Sequence, residues 1–387
     1  MKKKKISILG STGSIGRNCL DVVRNSGGRF KIVSLSAGSN VKLLAAQIKE
    51  FNPRVAVIGS VSKVGELKKL VPRSVKVTGG MEGLCGIASG RDVDIFVSAL
   101  VGSAGLLPTI EAVKTGKRVA LANKESLVMA GEFVMKLARK KGTEILPVDS
   151  EHSAVFQCIS ANRKETVRKI TLTASGGPFL KTGISQMKNM TPSKALKHPR
   201  WKMGAKVTID SATLMNKALE VIEAKWLFDV PSHMIDVVIH PESIVHSFVE
   251  FVDRSTIAQM SIPDMRIPIQ YALTYPERVA NHVRHLDMAR IGKLTFEKPD
   301  MKKFPVLKLV YEVLNKGGVL PAVMSSSNEV AVNSYLKGRI KLTDIFKVVS
   351  RAVKARKDIK AKCIDDIFKA DKWAVNYSED LINRKVF

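Results

Sequence analysis

Short apolar runs alternate with helical patterns through the first part of the chain. The runs are Lys5–Leu9, Lys31–Leu35, Arg54–Ile58, Val75–Val77, Asp94–Leu100, Arg118–Leu121 and Glu144–Val148. Alternation of this kind predicts a parallel, doubly wound sheet over roughly the first 150 residues. Beyond His152 the pattern changes. Lys169–Thr173, Ile235–Ile239, Ile244–Phe251 and Thr256–Met260 read as strands, the last two close enough for a hairpin, which predicts an α+β domain with an antiparallel sheet. The stretch from Tyr275 to Pro299 reads as a connector, and the apolar spacing from Phe304 onward is helical. Val306, Leu309, Val310 and Val313 fit one amphipathic helix, and Ile345, Val348, Val349 and Val353 another. The expected division is therefore 1–149, 150–274, a connector over 275–303, and a helical domain over 304–387.

The first strand runs directly into Gly10-Ser-Thr-Gly-Ser-Ile-Gly16 and a helical stretch from Ser14. A glycine-rich turn at a helix N-terminus lets backbone N–H groups approach a pyrophosphate, whose charge the helix dipole favours. The spacing is Gly-x-x-Gly-x-x-Gly, so its meaning comes from the strand–turn–helix context. An NAD site places an acid at the end of the second strand to hold the ribose 2′-hydroxyl. Here that position reads Ser36-Ala-Gly-Ser-Asn40, with no acid and no arginine. NADPH is expected over NADH, with an ordinary turn as the alternative for Gly38, Ser39 and Asn40.

Two carboxylates stand one residue apart, Asp149 and Glu151, and a third at Glu220. Residues i and i+2 of an extended segment point the same way, so the first two can aim at one point from a strand end. Thr213, Asn216, Lys217 and Glu220 make one polar stripe on a helix whose other face holds Leu214, Leu219, Ile222 and Trp226. Together the three carboxylates predict a site for a hard divalent cation. For either segment alone, an acidic loop or a solvated helix face is the plainer reading.

Composition narrows the choices. The 387 residues suffice for two or three domains with real cores, and 45% hydrophobic content is that of a globular protein. The apolar run after Lys2–Lys5 stops at Leu9, and Ile95–Ile110 is broken by Gly102, Gly105 and Pro108, so neither a signal peptide nor a membrane span is expected. Four scattered cysteines without a C-x-x-C pair read as reduced thiols of a cytoplasmic protein. The net charge of +28 invites a nucleic-acid reading, but the basic residues are spread along the chain and aromatics are only 6%, so no specific nucleic-acid partner is expected. A positive field also draws in small anions such as a sugar phosphate.

The turn Ser175-Gly-Gly-Pro178 is rich in N–H groups, and His198-Pro-Arg-Trp-Lys-Met-Gly204 is a lid candidate. Core packing is the alternative for Trp201 and a helix-end contact for His198. With Ala122-Asn-Lys-Glu125, Ser175–Phe179, Asp210–Thr213 and Pro263-Asp-Met-Arg266, these motifs occur in an order that resembles the 1-deoxy-D-xylulose 5-phosphate reductoisomerase family along essentially the full length.

The resemblance implies a Rossmann-like N-terminal sheet, a central α+β catalytic domain, a small C-terminal helical domain and a homodimer. It implies metal-dependent rearrangement and NADPH reduction of the sugar phosphate, with Mg²⁺ or Mn²⁺ on Asp149, Glu151 and Glu220. It makes Lys124 a bridge between cofactor and substrate, and Ser150 a substrate contact beside the metal. The phosphate would lie among Ser175, His198, Ser211, Asn216 and Lys217, with Trp201 and Met203 covering the substrate. Cofactor contacts are implied at Thr12, Gly13, Ser14, Ile15, Gly38, Ser39, Asn40, Asn123, Lys124, Glu125 and Gly204. His152 reads either as a support for the metal ligands or as a catalytic group, and His240 and His246 as core or site residues. Ser39 departs from members that carry a basic residue near the 2′-phosphate. Two alternatives are a semialdehyde dehydrogenase, which needs a cysteine nucleophile, and a basic nucleotide-sensing regulator, which needs no carboxylate triad.

Overall fold

The computed structural model describes residues 3–197, 201 and 203–387, and the chain packs as two compact units. The first comprises the chain up to Ser126, Val134–Ser153 and Asp264–Arg284. Its strands are β1 (Lys4–Leu9), β2 (Phe30–Ala37), β3 (Val55–Ile58), β4 (Lys76–Gly79), β5 (Ile95–Ser98), β6 (Arg118–Leu121) and β7 (Ile145–Pro147). Its helices are α1 (Ser14–Arg24), α2 (Val41–Phe51), α3 (Val64–Leu70), α4 (Gly80–Ala88) and α5 (Leu106–Lys114), with parts of α6 (Lys124–Lys141) and α7 (Ser150–Ile159).

All seven strands pair in parallel, in the order β4-β3-β2-β1-β5-β6-β7. The chain builds outward from β1 to β4, then crosses back to lay β5 against the other side of β1. Ligands of open α/β sheets bind at such a switch point. Both faces of a parallel sheet are covered, which is why these strands read as apolar runs: Ile6, Ile8, Leu35, Val57, Phe96 and Val119 are all buried.

The second unit comprises Leu127–Phe133, Ala154–Pro263 and His285–Phe387. Its sheet holds β8 (Val167–Ala174), β9 (Ile235–Ile239), β10 (Val245–Phe251) and β11 (Thr256–Met260), in the order β11-β10-β8-β9. The hairpin β10–β11 forms as expected, and β10 also runs antiparallel to β8. The sheet is nevertheless mixed, because β8 and β9 are parallel. Two short helices, α8 (Ile184–Met187) and α9 (Pro192–Ala195), then α10 (Ala205–Ala212) and α11 (Met215–Phe228) fill the connection between them. A helical crossover of that length returns the chain in the same direction.

The packing departs from the expected division in three places. Residues 264–284, expected at the end of the catalytic segment and the start of the connector, belong to the first unit, where helix α12 (Arg266–Thr274) packs on α1 and Arg266 pairs with Asp21 at 3.1 Å. Leu127–Phe133, in the middle of α6, belongs to the second unit, where Gly131 faces the Trp226 ring so closely that a Cβ would sit 2.2 Å from it. The C-terminal helices also belong to that unit. After the short α13 (Met288–Ile291) come α14 (Val306–Lys316), α15 (Leu320–Leu336), α16 (Leu342–Ala355) and α17 (Ile364–Arg384). The apolar stripes foreseen on α14 and α16 are buried, and α14 packs on α11. Helix α15 is buried nearly all round, Ser325, Ser326, Ser327 and Asn328 included, and both α16 and α17 lie against it. Among the described residues no helix is long and apolar enough to cross a membrane.

Candidate active site

In the first unit β1 delivers Gly10, whose φ of +94° only glycine adopts readily; a Cβ there would meet the Ala99 carbonyl at 2.5 Å. At Gly16 a Cβ would lie 2.3 Å from the Gly10 carbonyl, so these two glycines let the loop close onto α1. Thr12, Ser14 and Ile15 are half-buried around the exposed Gly13, which caps α1. Ser36 welds the end of β2 to this loop. Its hydroxyl accepts from the Gly10 N–H at 2.9 Å, and its carbonyl from the Ser11 N–H at 2.7 Å. Gly38, Ser39 and Asn40 follow on the surface. The Asn40 carboxamide accepts from the Leu43 N–H at 3.1 Å and so caps α2.

Asn123 is buried at the start of α6, with its side chain committed to the scaffold. Its amide donates to the carbonyls of Leu100 and Gly102 at 2.9 and 3.0 Å and to Glu125 at 3.2 Å, while its oxygen accepts from the Ser126 N–H. The next residue, Lys124, carries its ammonium to 2.6 Å from the Asp149 carboxylate. Asp149 stands between β7 and α7, and Glu151 lies in the first turn of α7, so the extended segment expected here is a strand end followed by a helix. The two still offer oxygens within 4.8 Å of each other. A helix start serves as well as a strand end, because Asp149 precedes the first turn and Glu151 points back toward it. Ser150 donates to Glu151, and the fully buried His152 sets Nδ1 4.0 Å from Asp149.

The second unit carries the remaining candidates. Leu214, at φ +56°, separates α10 from α11, so Thr213 closes α10 while Asn216, Lys217 and Glu220 lie on α11. Asn216 and Lys217 both donate to the Glu220 carboxylate. Lys217 is 3% exposed and Glu220 0%, which removes the solvated-face alternative. Glu223, one turn farther along the same stripe, is also buried; the i, i+4, i+7 spacing from Asn216 is the signal that could have found it.

Ser175 heads the Gly176–Gly177 turn, with both glycines at positive φ and the Ser175 hydroxyl accepting from the Gly177 N–H at 3.2 Å. A Cβ on Gly177 would lie 2.6 Å from the Ser211 carbonyl, so the turn is pressed against the end of α10. Half-buried Trp201 sets its ring 6.2 Å from that of His246, whose Nε2 pairs with the Ser261 hydroxyl at 2.8 Å. Met203 is half-buried, Gly204 is exposed at the N-cap of α10, and His198 lies outside the described residues.

His240 is a core clamp: its Nε2 accepts from the N–H groups of Ile244 and Val245, and its Nδ1 meets the Thr295 carbonyl at 2.8 Å. Sequence reasoning passed over the buried Asp210, which pairs with Lys206 at 2.9 Å and accepts from Asn328 at 2.8 Å. That bond fastens α15 to α10, directly before the proposed phosphate residues. Neither Cys19 nor Cys158 suits a nucleophile. Burial pushes the Cys19 thiol up to about 12 and Cys158 up to about 11, against a backbone hydrogen bond at Gln259 that pulls Cys158 down.

Three family models match the chain. Residues 6–131 fit 1-deoxy-D-xylulose 5-phosphate reductoisomerase, 145–228 its C-terminal domain, and 260–377 the DXP reductoisomerase C-terminal domain. The reductoisomerase of Thermodesulfovibrio yellowstonii is 50% identical over 371 residues, covering 96% of this chain and 97% of its own. That of Pelodictyon phaeoclathratiforme is 50% identical over 380 residues, covering 98% and 100%. Among solved structures, the Zymomonas mobilis reductoisomerase in complex with NADPH superposes with a TM-score of 0.92 at 40% identity, over 98% of this chain and 99% of that one. A reductoisomerase bound to NADPH, fosmidomycin and magnesium gives 0.95 at 41% identity, over 98% of each chain. With matches of this extent over both units, the chain belongs to the 1-deoxy-D-xylulose 5-phosphate reductoisomerase family.

Proposed function

We propose that this protein rearranges 1-deoxy-D-xylulose 5-phosphate and reduces the product to 2-C-methyl-D-erythritol 4-phosphate with NADPH and a divalent cation, Mg²⁺ or Mn²⁺. The observation that carries the residue assignment is the buried Lys217–Glu220 pair with half-buried Asn216 beside it, since a fold gains little by hiding an ammonium and a carboxylate on one helix turn without a charged ligand to meet. Asp149, Glu151 and Glu220 make an all-oxygen donor set, which suits a hard cation. When bound, that cation supplies Lewis acidity toward the substrate ketone and its neighbouring hydroxyl, and the nicotinamide supplies hydride.

The chain's own groups orient and hold. Lys124 keeps the Asp149 carboxylate turned toward its ammonium. Ser150, between Asp149 and Glu151 in sequence, offers a hydroxyl to the substrate. Ser175, Ser211, Asn216, Lys217 and His198 grip the phosphate, and such charge-assisted bonds are worth about 1.5–3 kcal/mol each. That anchor acts on the non-reacting end, so its binding energy positions the reacting carbons. Trp201 and Met203 exclude water above them. The glycine turn at Gly10–Gly16 supports the reading of NADPH bound through Thr12–Ile15 and Gly38–Asn40, with Asn123–Glu125 and Gly204 as further contacts.

We extend the reading to a homodimer in the cytoplasm, with light scattering as the test of assembly. Function itself is tested by NADPH oxidation with and without deoxyxylulose phosphate and Mg²⁺. Oxidation is expected only with both present; turnover unaffected by a chelator would overturn the metal assignment, and none with this substrate would overturn the reaction.

A further inference from the structure

The end of β2 holds no acid and no arginine, yet a 2′-phosphate there brings a charge close to −2 that needs a cation. Most polar groups at this end are already committed. Ser36 is buried and bonded to the glycine loop, and the Asn40 carboxamide caps α2. A cation reaches this turn from the loop after a different strand. The Lys63 ammonium, on the turn after β3, donates to the Ser39 carbonyl at 3.0 Å.

This placement is built into the backbone. The Gly59 N–H donates to the Ala37 carbonyl at 2.7 Å and the Ser60 N–H to the Gly38 carbonyl at 2.9 Å, so the turn after β3 is stitched to the turn after β2. A Cβ on Gly59 would lie 3.1 Å from the Gly38 carbonyl, tighter than ordinary contact. The Lys63 N–H then closes onto the Ser60 carbonyl at 3.0 Å, which fixes the root of its side chain. An ammonium has three donors, and the bond to Ser39 uses one. Lys63 pairs with no carboxylate among the described residues, and its side chain is half-buried.

We infer that Lys63 is the specificity-determining residue for NADPH over NADH, supplying from β3 the positive charge that the β2 turn lacks, with the Ser39 hydroxyl as its neighbouring donor. The inference rests on the NADPH reading above. An exposed flexible lysine would lose this bond to water, whereas one tethered at its root and tip presents its remaining N–H groups to a phosphate at lower entropic cost.

The test is calorimetric binding of NADP⁺ and NAD⁺ to the metal-free protein without substrate, so that catalysis plays no part. Wild type is compared with Lys63→Ala, Lys63→Arg and, as a control for net charge, Lys316→Ala on the exposed end of α14. One lost charge-assisted bond predicts about tenfold weaker NADP⁺ binding in Lys63→Ala with NAD⁺ unchanged, preference retained in Lys63→Arg, and no change in the control. Equal weakening of both nucleotides, or of neither, in Lys63→Ala overturns the inference. If wild type itself binds NAD⁺ as tightly as NADP⁺, the cofactor reading fails first and the role of Lys63 falls with it.

Discussion

Glu220→Gln separates a metal ligand from a helix-surface carboxylate more sharply than any other substitution. Judged from sequence alone, it would scarcely affect folding, because the side chain would face a solvent cleft. Its complete burial against Lys217 changes that expectation. Removing one partner of a buried ion pair costs about 3–5 kcal/mol, and at 3% and 0% exposure no discount for solvent screening applies. Glutamine keeps a carbonyl that accepts one of the two bonds from Asn216 and Lys217, and a retained bond to a charged donor is worth about 1.5–3 kcal/mol. The net loss expected is about 2 kcal/mol.

Urea unfolding in chelator measures it, with Lys217→Met and the double variant completing the cycle. The double variant should lose less than the sum of the singles by about 2 kcal/mol, since each single strands one buried charge and the double strands none. Saturating Mg²⁺ should then stabilise wild type, by about 2.7 kcal/mol at a hundred times its dissociation constant, and stabilise Glu220→Gln less. In assays, raising Mg²⁺ or Mn²⁺ should recover part of the lost turnover. Unfolding energies that simply add, together with wild-type metal dependence, would refute both the buried pairing and the ligand role.

Three further outcomes are expected. Lys217→Ala should lower kcat/KM for the sugar phosphate strongly while NADPH affinity, by fluorescence titration, stays near wild type; parallel losses would move Lys217 to the wrong site. Gly131→Ala should destabilise by about 1–3 kcal/mol in thermal unfolding, because overpacking against the Trp226 ring outweighs the helix gain of about 1 kcal/mol; a raised melting temperature would contradict that packing.

Acid should weaken the Asp21–Arg266–Asp264 cluster. Burial pushes both carboxyls up, but hydrogen bonds from Arg266 to both, and from His282 to Asp21, outweigh it and hold them below the ordinary 3.8. Groups lowered on folding stabilise above their unfolded value and lose that contribution as pH falls through the folded one. Urea midpoints of wild type should therefore fall more steeply than those of Asp264→Asn between about pH 5 and pH 2, and parallel curves would count against the cluster.

The seven parallel strands were legible along the chain because a strand buried on both faces must be apolar throughout. The glycine turn was legible because few residues reach a φ of +94° or admit a carbonyl at 2.3 Å. The stripes of α14 and α16 were legible because one face is buried and the other wet. The features that escaped are those with no local period. Helix α15 is enclosed all round, so it carries no stripe, and its Asn328 meets Asp210 across 118 positions of chain. The parallel pairing of β8 with β9 depends on the crossover between them rather than on either strand.

Residues 264–284 return to the first unit because Arg266 finds its acid at Asp21, a partner 245 positions away that no window of sequence reveals. The three carboxylates and the lysine on α11 could be named from spacing alone. The burial of Lys217 and Glu220 could not, because burial depends on what the remainder of the fold lays over that helix face. For the same reason the cation serving the β2 turn appears as Lys63 of β3's turn only after the two turns are stitched together. Residue type and spacing set which chemistry the chain can offer; the tertiary fold, by removing water and joining distant segments, decides which of those groups meet and how strongly each is held.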